Sequence, residues 1–72
     1  MSDFELKDTL GPVEFASLLR QCADAVESGG SFELSLQEKT FNIQPHGKLK
    51  VEYEVDDEKH ELEFEIKWRE AA

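Results

Sequence analysis

The sequence predicts an α+β fold in which one α-helix packs on one face of a small antiparallel β-sheet. Residues 11–30 repeat apolar side chains with the period of a helix, whereas most of the remaining chain alternates apolar and polar side chains as strands do. The sheet is predicted to be a four-stranded meander with an additional N-terminal edge strand around Phe4 and Leu6. Because 72 residues suffice for only one core, residues 1–72 are predicted to form a single domain.

The predicted helix is the segment GPVEFASLLRQCADAVESGG, residues 11–30. Pro12 suits a first helical turn, and Gly29 and Gly30 supply a C-terminal stop. The helix has one apolar side to bury, and Cys22 lies near its centre, where a thiol behaves as a small apolar side chain. We expect Cys22 to be a buried structural residue rather than a redox site. The apolar side consists of Phe15, Ala16, Leu18, Leu19, Cys22, Ala23, Ala25 and Val26.

Four segments after the helix alternate with period two, and the parity of their residue numbers predicts how they pair. Opposed residues of antiparallel strands point to the same face, so their numbers have a constant sum. The last two segments then pair Tyr53 with Leu62 around a four-residue turn, 56–59. The first two pair Leu36 with Phe41. The four segments are SFELSL, TFNIQ, KLKVEYEV and HELEFEIKW.

The sequence PHG, residues 45–47, predicts the turn that joins the second strand to the third. Gly47 would take the left-handed position of a three-residue hairpin loop. In the predicted register Trp68 lies opposite Gly47, where its ring can cover the gap that glycine leaves. Phe64 and Trp68 share the apolar face of the last strand. We therefore expect Gly47, Phe64 and Trp68 to have structural roles, with Trp68 closing the end of the core.

The outer face of the predicted sheet carries a cluster of acids formed by Glu52, Glu54, Glu61 and Glu63, with lysines at the other end. The register places Glu54 opposite Glu61 and Glu52 opposite Glu63, and such like-charge pairs are destabilising. Three interpretations are open. In the first, the face is only solvated and its charges resist aggregation. In the second, the face docks a basic partner or a second copy. In the third, the four glutamates bind a divalent cation weakly.

The chain resembles the amphi-Trp domain family, a small prokaryotic module named for an amphipathic strand that ends in tryptophan. The stretches that carry the resemblance are LLRQCADAVESGG in the helix and ELEFEIKW near the C-terminus. One departure is Gly11, which stands where a serine-like helix cap would be expected. The resemblance implies a stand-alone or fused domain of uncharacterised function, and it carries over no catalytic residues.

The composition narrows the function classes. A net charge of −9 disfavours nucleic acid and anionic membrane surfaces as partners. We find no motif for catalysis, a cofactor or a metal, and we expect no enzyme.

The single cysteine and the lack of an apolar signal or membrane-spanning segment indicate the cytoplasm. We predict a small non-catalytic interaction module that binds a protein partner or forms a homodimer through its polar sheet face or a sheet edge. The alternative is a weak ligand or divalent-cation binder using the acidic cluster.

Overall fold

The computed structural model of the chain describes residues 3–70 and contains one helix and four strands within them. Strands β1 and β2 pair antiparallel, and so do β3 and β4, as two separate two-stranded sheets. The α+β prediction is confirmed, whereas the four-stranded meander is not confirmed, because β2 and β3 do not pair. The elements are α1 (Pro12–Ser28), β1 (Phe32–Leu36), β2 (Lys39–Ile43), β3 (Lys48–Asp56) and β4 (Lys59–Lys67).

Helix α1 begins and ends where the sequence predicts. Pro12 occupies its first turn, and Gly29 closes it with a left-handed backbone at φ 72°. The amide of Gly30 also donates to the carbonyl of Ala25, at 2.9 Å. Ala25 is only 4% exposed and is the most deeply buried apolar residue of the helix. At the other end Gly11 provides no side-chain cap, so the helix N-terminus depends on backbone geometry alone.

The hairpin of β1 and β2 has a tighter turn than predicted. Leu36 pairs with Lys39 rather than with Phe41, so the predicted register is wrong by two residues. Gln37 and Glu38 form a two-residue turn with φ values of 49° and 65°. Two positive φ values give the type of turn whose twist matches that of the flanking strands. Side chains alternate between the two faces of a strand, so a register shift of two residues leaves each side chain on its predicted face.

The N-terminal segment lies against this first hairpin. The rings of Phe4 and Phe41 are stacked with their centroids 6.0 Å apart. The backbone amide of Gln37 donates to Asp8 Oδ2 at 3.2 Å, and its side-chain amide donates to the carbonyl of Lys7. These contacts run largely through side chains rather than a ladder of backbone hydrogen bonds, and residues 4–10 form no strand. The predicted N-terminal edge strand is therefore not confirmed.

The second hairpin, β3–β4, stands apart from the rest of the described chain. No Cα atom of β3 or β4 lies within 8 Å of one in α1, β1 or β2. The molecule is accordingly elongated, with principal extents of 43 × 28 × 27 Å. Residues 44–47, which include Pro45 and Gly47, connect β2 to β3 without bringing the two strands together. The apolar face of β3–β4 thus lacks the helical cover that the sequence predicted.

Candidate functional site

The long β3–β4 hairpin carries the surfaces on which function can be argued. Its register agrees with the prediction throughout, with Tyr53 opposite Leu62. Pairing continues one step further than expected, because Asp56 also pairs with Lys59. The turn is therefore two residues long instead of four, and it begins at Asp57 with φ 57°. A ladder of nine residue pairs holds the two faces of the hairpin in fixed positions.

One face of this hairpin is apolar and open to solvent. Strict alternation in both strands places every second side chain on this side, which we call the apolar hairpin face. Its members belong to β3 and β4 and include valine, leucine and aromatic side chains, which favour strands. Six of them are between 52% and 63% exposed: Leu49, Val51, Tyr53, Val55, Leu62 and Phe64.

A polar contact lies near the turn end of the apolar hairpin face. The hydroxyl of Tyr53 and Nδ1 of His60 are 2.6 Å apart, within hydrogen-bonding distance. The two rings stack with centroids 5.9 Å apart and an interplanar angle of 26°. Both residues are exposed, so this pair orders the Tyr53 ring without burying it. The ring therefore adds a fixed, flat surface to the face.

The opposite face carries the four predicted glutamates, and the structure brings them together. Glu52 pairs with Glu63, and Glu54 pairs with Glu61, directly across the ladder. Glu52 also lies 3.4 Å from the ammonium group of Lys50 on its own strand. The other side-chain oxygens of the cluster face water. No three acidic, histidine or cysteine side chains among residues 3–70 are placed to hold one metal ion, so the cation-binding alternative gains no support.

The outer polar surface is not continuous between the two hairpins. Ser35 and Thr40 are paired on the polar side of the first hairpin, with their hydroxyls 3.1 Å apart. The acidic cluster lies on the second hairpin, which does not pair with the first. The structure therefore divides the predicted surface into two smaller ones.

The base of the β3–β4 hairpin is formed by Gly47 and Trp68. Gly47 has the predicted left-handed backbone, at φ 87°. A Cβ atom at this position would collide with the carbonyl oxygen of Lys67 and lie 3.2 Å from Cβ of Trp68. The Trp68 ring packs beside that of His46 with centroids 5.3 Å apart, and it is 37% exposed. This close approach of two backbone segments requires glycine at position 47.

The two other predicted structural residues lie in different surroundings. Cys22 is half-buried on α1 and has no disulfide partner among residues 3–70. Phe64, predicted to belong to the core, lies on the apolar hairpin face and is 62% exposed. It packs against its own hairpin but has no cover from the helix, because α1 contacts β1 and not β4.

The apolar hairpin face is the feature that sequence reasoning missed as a surface. The alternation showed which residues share it, and we expected the helix to cover it. One signal was available in the sequence. A single 17-residue helix had to cover the apolar sides of four strands, and its own apolar side is one stripe. In the structure α1 packs against the shorter hairpin, β1–β2, and leaves the longer hairpin, β3–β4, uncovered.

Comparisons with known proteins agree with the resemblance seen in the sequence. No helix within residues 3–70 has both the length and the apolar character needed to span a bilayer. Searches of curated proteins and of solved structures gave no significant match. The family model of the Amphi-Trp domain matches residues 1–72, the whole of the sequence. The chain therefore belongs to the Amphi-Trp domain family.

Proposed function

We propose that this domain is a small, non-catalytic protein-interaction module that binds through its β3–β4 hairpin. The observation that carries the proposal is the apolar hairpin face, on which six large side chains are each more than half exposed. Soluble monomers rarely leave a contiguous apolar patch of this kind open, and such patches mark interaction sites. A regular ladder presents the side chains in fixed positions, which lowers the entropy lost on binding.

In this proposal the acidic face of the hairpin stays in water while the apolar face binds the partner. Glu52 and Glu54 stand opposite like charges, which costs the hairpin stability, and their solvation keeps that side in water. A partner then meets the hairpin on one side only. The sequence also favoured the polar face itself, or a sheet edge, as the binding surface. Each strand of a two-stranded sheet has one free edge. The β3–β4 hairpin therefore has an apolar face, a polar face and free strand edges, and one experiment can compare them.

Site-specific photo-cross-linking in cells of the source organism tests the proposal. A benzophenone amino acid replaces Val51 in one variant and Glu52 in a second. These neighbours on β3 point to opposite faces of the hairpin. We expect a cross-linked protein species with the probe at position 51 and little or none at position 52, because only the first position faces the bound protein.

The other results are equally informative. Adducts at position 52 alone would move the binding site to the acidic face. Adducts at both positions would indicate a partner that pairs with a strand edge, because an edge contact reaches both faces. If neither position gave an adduct while both variants kept the far-UV spectrum of the wild type, the interaction module would be contradicted.

A closed form of the same chain competes with this arrangement. It is the four-stranded meander predicted from the sequence, in which β3 pairs with β2 and the apolar hairpin face packs beneath α1. The N-terminal segment would then add an edge strand. Backbone hydrogen bonds between residues 41–43 and 49–51 would identify that form, and amide exchange detects them as slowly exchanging N–H groups. Our proposal requires those N–H groups in the two ranges that point away from β1 and β4 to exchange rapidly in the isolated domain.

The cysteine content supports a proposal for the compartment. We place the module in the cytoplasm, because its single cysteine cannot form an internal disulfide and a small chain exported to an oxidising compartment would gain from one. A fusion of the domain to a reporter that fluoresces only in the cytoplasm tests this assignment. Fluorescence at the level of a cytoplasmic control is the expected result.

A further inference from the structure

We infer that the apolar hairpin face is occupied by a second copy of this chain, in a twofold homodimer whose β3–β4 hairpins pack face to face. The inference rests on the proposed function, since it names the partner of the same surface. Two properties of the structure support a second copy, the excess of exposed area and the distribution of charge, and the general geometry of sheet packing allows one.

The exposed area is larger than a monomer of this size should have. The accessible surface of the chain is 6676 Å² at a mass of 8.3 kDa. A folded monomer of this mass is expected to expose roughly 4,600 Å². The excess is therefore roughly 2,000 Å² per chain, whereas a standard interface removes about 800 Å² from each partner and obligate homodimers often remove more. One dimer contact on the hairpin would account for a large share of this excess.

The distribution of charge allows two acidic chains to meet on this face. The protein carries a net charge of −9, so most pairs of surfaces would repel each other. The apolar hairpin face, however, contains no aspartate, glutamate, lysine or arginine, because the alternation places all of them on the reverse side. In a face-to-face dimer the two acidic clusters point away from each other, separated by the thickness of both hairpins. Charge complementarity to a foreign protein is not needed.

The general geometry of stacked β-sheets allows the face to contact a second copy of itself. A twofold interface uses the same patch on both subunits, so the patch must be complementary to its own copy. Two twisted sheets meet this requirement when they stack about 10 Å apart with their strands rotated by about 30°. The pair Val51 and Phe64 is next to the middle pair of the ladder, and it would lie near the twofold axis.

Sedimentation equilibrium of the purified domain, over a dilution series from about 100 µM, tests the inference. The first variant is Val51→Ser with Phe64→Ser, a directly opposed pair on the apolar face. The matched control is Glu52→Ser with Glu63→Ser, the adjacent opposed pair on the acidic face. We expect wild type and control to sediment at twice the monomer mass. The Val51/Phe64 variant should have a dimer Kd at least about 100-fold higher, because the valine and the phenylalanine are each lost twice in a twofold contact.

Two results would overturn the inference. Equal dimerisation of both double variants would place the dimer contact elsewhere on the chain. A wild type that stays monomeric at 100 µM would exclude a second copy as the partner, and this result does not depend on how any variant folds.

Nitration of Tyr53, the only tyrosine, then separates the failure of the dimer from the failure of the proposed function. In a monomer, nitration at the rate of the urea-unfolded chain, in the wild type or after His60→Ala removes the ring stacked on Tyr53, would show the face open for another protein and leave the interaction module standing. In a monomer whose Tyr53 stays protected in both the wild type and His60→Ala, the face would be covered within the chain, and both proposals would be wrong.

Discussion

At the residue scale, two glycines of this chain have a left-handed backbone, but only one of them also lacks room for a side chain. Gly29 has φ 72° and no heavy atom within 4 Å of the position of a Cβ, whereas Gly47 has φ 87° and the carbonyl oxygen of Lys67 too close to that position for a Cβ to fit. The sequence predicted the left-handed backbone of Gly47 from the PHG turn, and it predicted Gly29 as part of the stop that ends the helix. The close approach of the Lys67 carbonyl depends on the base of the folded hairpin.

These two glycines provide a matched pair of substitutions. Gly29→Ala should cost about 1 kcal/mol of unfolding free energy, the conformational penalty alone. Gly47→Ala should cost about 2 kcal/mol or more, because a backbone carbonyl must also move. Urea denaturation followed by the fluorescence of Trp68, which lies beside Gly47, measures both. Equal losses would contradict the close packing at the hairpin base.

At the element scale, the helix and the long hairpin were predicted well, while the short hairpin was not. The register of β3–β4 was correct because long alternation in both strands permits few pairings that keep one face apolar. The register of β1–β2 was wrong because its turn uses Gln37 and Glu38 at positive φ, where Asn or Gly would normally signal a two-residue turn. A turn built from ordinary residues gives no local signal.

Helix α1 has an N-terminus that one substitution should improve. Gly11 precedes the helix with φ −72° and ψ 165°, the extended conformation of a capping residue, but it offers no side-chain acceptor. Gly11→Ser would complete a capping box with Glu14, three residues later, and its Cβ would be in ordinary contact with that side chain at 3.6 Å. We expect a gain of about 0.5 kcal/mol in urea denaturation. Gly11→Ala, which has no oxygen, should show no gain.

The charge pattern of the long hairpin predicts opposite effects for two neighbouring substitutions on β4. Glu63→Lys replaces a like-charge pair with Glu52 by an attractive one, and it should stabilise the hairpin by about 0.5 kcal/mol. Glu65→Lys removes an attractive pair with Lys50 and the contact of Glu65 with Lys67 at 3.7 Å, so it should destabilise by a similar amount. Thermal denaturation at low salt measures both changes. About 1 M salt should reduce them, because these exposed charges are screened.

At the scale of the whole molecule, the sequence predicted which side chains share a face but not what covers each face. The parity of the residue numbers was consistent with pairing of the second and third strands. Matching parity is necessary for such pairing, but it does not itself stabilise the pairing. The four glutamates were placed together correctly, because they belong to one hairpin whose register is local. Their binding role stays a prediction. The uncovered apolar hairpin face arises from the arrangement of two hairpins and one helix, which no local pattern specifies.

The most direct test of this account is an isotope-filtered NOE experiment on a mixture of ¹³C-labelled and unlabelled domain. The methyl groups of Val51 lie in the centre of the apolar hairpin face, so their contacts identify what covers it. The account predicts NOEs from the Val51 methyls to the Phe64 ring of the other chain, and none to helix α1 of the same chain. NOEs between Val51 and Leu18 or Cys22 within one chain would contradict it, because they would show that the helix closes over the hairpin in a monomer.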